Sequence, residues 1–249
     1  MADQLYLSLW FPNFRLQSLP SALVGVLRQF AAISRDGAPG TEFTRVVAAS
    51  AYPIDWTESP IYQRIFVNDE RSESSADTDA SLPENAVAEA TEQLHDDTAY
   101  EFEMRWRLWV PELTPDVPGE PPRWAGSSDV PGQPTRRAGS PAGLDTQWRL
   151  EPSRVRIVGF GPDFDLGSYE QNGHIRVDFG LDTPWTFEGQ PEDEALDEEG
   201  AKRVQSNVEK LLAFTLLVEK HCGISSRLLW TESGEPLAEK LIARLQRLN

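Results

Sequence analysis

At 249 residues the chain is long enough to bury a large core, as one big domain or as two subdomains. With 39% hydrophobic and 10% aromatic residues it is too apolar for a disordered chain, and it carries no unbroken apolar run of membrane-spanning length. Its formal charge of −17 opposes nonspecific nucleic-acid binding, whose affinity comes from cations displacing counterions along phosphates.

These totals point to a soluble protein with neither a nucleic acid nor a membrane as partner. The opening Met1-Ala2-Asp3-Gln4 has an acid where a secretory leader has Lys or Arg, so the cytoplasm is the expected compartment. A lone cysteine, Cys222, rules out an internal disulfide framework and suits a reducing environment. Oligomeric state is not legible.

In chain order, Leu5 to Phe11 (LYLSLWF) reads as a strand closed by the turn pair Pro12-Asn13. Leu23, Val26, Leu27 and Phe30 then share one helical face. Past the loop Gly37-Ala38-Pro39-Gly40, strands are expected over Arg45 to Ala51 and Ile61 to Val67. Asp69 to Ser81 is too polar to pack, and Leu82 to Leu94 should be a short helix with Pro83 and Glu84 in its first turn. From Tyr100 to Val110 apolar residues hold the even positions, while Glu101, Glu103, Arg105 and Arg107 hold the odd ones. This is the clearest strand signal in the chain.

The order strand, helix, strand, strand, helix, strand over residues 1–110 is that of a ferredoxin-like αβ subdomain, a pattern that carries no function by itself. Residues 111–147, rich in Pro and Gly, read as a linker or surface excursion. Residues 148–249 form a second αβ subdomain: strands at Arg154 to Phe160 and His174 to Leu181, a long helix from Ala201 to His221, a strand at Ser226 to Thr231, and a closing helix marked by Leu237, Leu241, Leu245 and Leu248. The long helix should bury Val204, Val208, Leu211, Leu212, Thr215 and Val218. The fold class is α+β, a mainly antiparallel sheet with helices packed on one face.

The negative charge has two sources. Residues 69–103 hold twelve acids against Arg71 alone, and residues 188–199 hold seven acids and no base; the remainder is close to neutral. Such blocks solubilise a surface, and they also steer a basic protein partner.

No catalytic motif stands out. His95-Asp96-Asp97 falls in the turn before the long strand, where short polar side chains serve backbone groups, and neither its spacing nor that of His174 and Asp178 is that of a metal site. Gly159-Phe160-Gly161 lacks the third glycine of a dinucleotide loop, and there is no phosphate-binding GxxxxGK sequence, so no cofactor is expected. His221-Cys222 at a helix end reads as packing rather than a nucleophile and its base. Glu101 and Glu103 have the spacing any alternating strand gives.

Leu5-Tyr6-Leu7-Ser8-Leu9-Trp10-Phe11-Pro12-Asn13-Phe14 resembles the opening strand of catalytically inactive relatives of the Y-family polymerases. The resemblance covers ten residues. The basic character and acidic metal motif of active members are missing downstream, so it implies no activity, metal or site residue here.

What remains is a surface. With helices on one side of the sheet, the other side should display Arg105, Arg107 and Trp109 beside Arg154, Arg156, His174 and Arg176, residue types that dominate interfaces. The expected function is that of a non-enzymatic protein-binding protein of immunity or regulatory kind acting on a basic partner. The alternative is an enzyme with its site between the two subdomains.

Overall fold

Leucine at every second position from Leu5 to Leu9 gives the first strand one apolar face, and the same two-residue period recurs in Phe102, Met104 and Trp106, in Val155 and Ile157, and in Ile175, Val177 and Phe179. All of these side chains are buried in one cluster with Leu23, Val26, Leu27 and Phe30. The computed structural model describes residues 3–35, 42–66, 79–112, 147–165, 167–186 and 198–234.

In chain order the elements are β1 (Gln4–Trp10), α1 (Leu19–Ser34), β2 (Ala48–Pro53), β3 (Tyr62–Ile65), α2 (Pro83–Ala90), β4 (Thr98–Glu112), β5 (Gln147–Phe160), α3 (Ser168–Asn172), β6 (Ile175–Leu181), α4 (Thr183–Thr186), α5 (Glu198–His221) and β7 (Ser226–Thr231). The strands form one seven-stranded sheet in the order β3-β2-β4-β5-β6-β1-β7, every neighbouring pair antiparallel. The fold is α+β, with α1, α2 and α5 contributing to the core on one face.

The ferredoxin-like order expected within residues 1–110 is not the one adopted. It needs β1 beside the other strands of that segment, whereas β5 and β6 separate β1 from β4, and β7 takes its outer edge. A strand with one apolar face matches any neighbour that has the same alternation, so local pattern leaves the choice of neighbour open. Strands from before and after the 111–147 segment therefore interleave. Residues 113–146, the 69–78 part of the first acidic block, most of the second and the expected closing helix at 237–248 lie outside the described residues.

Trp106 centres the core. It is fully buried, with Phe30 at 5.2 Å, Phe179 at 5.4 Å and Trp185 at 6.0 Å between ring centroids. α1 approaches β5 so closely that a Cβ on Gly159 would lie 2.6 Å from a Leu19 methyl. A Cβ on Gly161 would lie 2.2 Å from the Asp96 carbonyl oxygen, so both glycines of Gly159-Phe160-Gly161 are there for close approach.

α5 departs from its expected stripe. Val204, Leu211, Thr215 and Val218 are buried, but Leu212 is 47% exposed and Asn207, a polar residue, turns inward. The reason lies in β4, which outruns β2: their pairing ends at Ala48 and Glu103, leaving the later outer edge of β4 without a strand among the described residues. Asn207 fills that place, its amide accepting from the Trp109 N–H (2.9 Å) and donating to the Trp109 and Pro184 carbonyls (2.8 Å each). Lys210 donates to the Arg107 carbonyl at 3.1 Å. Helix side chains thus satisfy backbone groups that an edge strand otherwise offers to other chains.

Candidate functional site

The face of the sheet opposite the helices, uncovered among the described residues, is set out in rows by strand register. One row runs Ile65, Ala48, Glu103, Arg156, Asp178, Tyr6, Trp230, across all seven strands. The next runs Gln63, Ser50, Glu101, Val158, Arg176, Ser8, Leu228. Antiparallel pairing places directly opposed Cβ atoms about 5 Å apart, so side chains within a row interact.

In the first row charges alternate, and ion pairs tie it to its neighbours. Arg156 pairs with Asp178 and lies 3.7 Å from Glu101; Arg154 pairs with Glu103, and Arg105 stands 4.0 Å from the same carboxylate. Asp178 and Glu103 are buried at 3% and 7% exposure, while the arginine side chains reach outward at 45% to 63%. Asp178 also accepts from the Gly180 N–H at 2.9 Å. Burial lifts the Glu101 carboxyl above the ordinary carboxylate range, against the pull of Arg156 and Arg154.

The second row is different. Arg176 has Val158 on one side and Ser8 on the other, neither of them an acid. Its guanidinium carbon lies over three rings, Tyr6 at 5.2 Å, Phe160 at 5.3 Å and Trp56 at 5.9 Å. Burial among them holds its pKa below that of a free guanidinium, partly offset by Tyr6 and Asp178.

Trp56 is brought there by a strained turn. Ile54, a β-branched residue, has φ +65°, and its N–H and C=O are pinned by the Asp97 carbonyl (2.6 Å) and the Asp165 N–H (2.7 Å). Trp56 meets Phe164 edge-on at 5.1 Å, above a small apolar cluster of Ala99, Val158, Phe160 and Phe164. Ile54 (56%) and Trp56 (37%) remain exposed.

Of the seven residues expected on one surface, Arg105, Arg154, Arg156 and Arg176 are together. Arg107 and Trp109 part from them: with Ile33 of α1 and Asn207 and Lys210 of α5 they line a cleft of about 380 Å³. The Arg107 guanidinium stacks over buried Phe43 at 4.5 Å, and Arg203 of α5 lies 3.8 Å over the Trp109 ring. Trp109 is therefore partly covered by a helix. His174 sits at the end of the sheet, its Nδ1 accepting from the Phe11 N–H (3.0 Å) and its ring stacked on Phe14 at 4.2 Å. Burial there keeps its pKa below the ordinary histidine value.

The remaining motifs are occupied by the fold. Carbonyls of His95, Asp96 and Asp97 accept from Thr98, Asp163 and Ile54, and the His95 N–H donates to the Tyr100 hydroxyl. Among the described residues no three His, Cys, Asp or Glu side chains gather as a metal site. Burial pushes the Cys222 thiol up to about 11. No described helix is long and apolar enough to cross a membrane.

Sequence reasoning missed Tyr6, Trp230 and Trp56. The alternation in LYLSLW places Tyr6 opposite Leu5 and Leu7 and was available as a signal; Trp56, in an aperiodic turn, has none. Comparison of the chain with family models, curated proteins and solved structures gives no match.

Proposed function

We propose that the protein acts by binding another protein on the uncovered face of its sheet and is not an enzyme. The observation that carries this reading is the row arrangement itself: arginine side chains held outward by carboxylates that are themselves buried, beside an exposed Trp56 on a strained turn. Such arginines lose little freedom on binding, and Arg and Trp are the commonest anchors of interfaces. The polar groups of the cleft near Trp109 already serve the edge of β4, which favours the sheet face over the cleft.

The two roles of charge separate by distance. The net −17 acts at long range and favours a basic partner, whereas the arginine rows act at contact. The test is capture of partner from the native cytosol at low and high salt, with Arg105→Ala/Arg154→Gln compared to wild type and to a Lys220→Gln control away from the face. We expect a partner held at low salt by wild type and control and weakened about tenfold or more by the double variant. Recovery of nothing, or equal recovery by the double variant, refutes the reading.

A further inference from the structure

The face carries four arginines and three carboxylates, and the pairing is uneven. Glu103 is shared by Arg154 and Arg105, while Asp178 and Glu101 go to Arg156. Arg176 is left with no ion pair and no hydrogen-bond acceptor among the described residues, and its Nε is buried without a partner. The nearest hydroxyl in its row, that of Ser8, already accepts from the Trp230 indole at 3.0 Å.

A guanidinium has five N–H donors in its plane and none on its faces. The rings of Tyr6, Phe160 and Trp56 attract the charge through their faces and accept no hydrogen bond in the plane of the group. Withdrawing the Nε–H from water with no acceptor is costly, and an oxyanion brought into the plane of the guanidinium offsets that cost. The rings also hold the group in place, so little rotamer freedom is lost on binding.

We propose that Arg176 is the receptor for a single carboxylate of a bound peptide, taken in plane by the guanidinium, with an adjacent apolar side chain of the peptide lying on Trp56 and Ile54. Two features favour a monoanion over phosphate. With Asp178 and Glu101 set against Arg156 beside it, the four arginines and three carboxylates leave one positive charge for a single carboxylate to neutralise, and the whole chain is strongly acidic. The exposed Ile54 and Trp56 beside the guanidinium suit an apolar body attached to the acid.

This inference rests on the sheet face being the binding site, but its test needs no partner. The Nε–H resonance of Arg176, assigned by its loss in Arg176→Lys, is followed by nuclear magnetic resonance at constant ionic strength during titration with propionate, with propionamide as the neutral isostere, and with inorganic phosphate. We expect a saturable shift with propionate at a Kd of about 1–10 mM, none with propionamide, and weaker binding of phosphate. Arg176→Lys, which loses the planar fork, should weaken propionate about tenfold by chemical-shift mapping of Trp56, whereas Lys220→Gln, away from the face, should leave it unchanged. Trp56→Leu provides a second variant, on an exposed turn, with a severalfold loss. An unmoved Arg176 resonance, equal response to propionamide, or equal weakening by Lys220→Gln overturns the proposal. Tighter binding of phosphate than of propionate overturns the choice of carboxylate. Loss of partner capture by the double variant with no propionate binding leaves the face and removes the anchor.

Discussion

The two faces of the one sheet use their side chains in opposite ways. Under the helices, Leu7, Phe102, Trp106, Ile157 and Val177 are fully buried and interchangeable in kind; they bind by excluded water and close packing. On the opposite face Arg105, Arg154 and Arg156 each have a paired carboxylate nearby, and Arg176 is conspicuous because it has none among the described residues. Stability resides on the first face, and the proposed specificity on the second. An apolar cluster tolerates a missing contact by relaxing, while a charged row exposes any residue whose partner is absent.

The contrast can be broken at three levels of energy. Trp106→Ala should cost about 3–5 kcal/mol, because it empties the space between Phe30, Phe179 and Trp185; urea unfolding measures it, and a loss under about 1 kcal/mol places the centre of the core elsewhere. On the other face the effects should be smaller and graded by burial. Asp178→Ala strips the Gly180 N–H and a charge partner of Arg156, at about 2 kcal/mol, whereas Arg154→Ala, with a 63% exposed side chain, should stay within about 1 kcal/mol. If the two cost the same, the carboxylates are not the buried scaffold of the row.

The smallest effect belongs to His174 at the end of the sheet. Its folded pKa lies below 6.5, so the unfolded chain binds the proton more readily and stability rises with pH across the interval. The contribution is complete above pH 6.5 and declines as pH falls below it, towards the folded pKa. Unfolding midpoints between about pH 7 and about pH 5 should fall more steeply for wild type than for His174→Gln, the difference isolating this group from the carboxylates. Equal slopes dispose of the effect assigned to burial of His174.

Much of this was written in the sequence and much was not. Residues with period two, Tyr100 to Val110 and Ile175 to Leu181, became strands, buried on the implied face as far as Leu108 and Phe179 while Leu181 ends exposed, because alternation is a property of a single strand and needs no partner to be read. The charged side of the sheet was legible for the same reason; His95-Asp96-Asp97 does lie in the turn before β4, but its backbone carbonyls, rather than the expected side chains, serve the backbone groups there. Tertiary structure alone decided that β1 lies between β6 and β7, that Asn207 turns inward to complete the edge of β4, and that Trp109 lies under Arg203. It also decided, through register, that Arg156 has Asp178 opposite it while Arg176 has Val158 and Ser8. Which residue stands across from which depends on strand neighbours distant in the chain, and no local period encodes that choice.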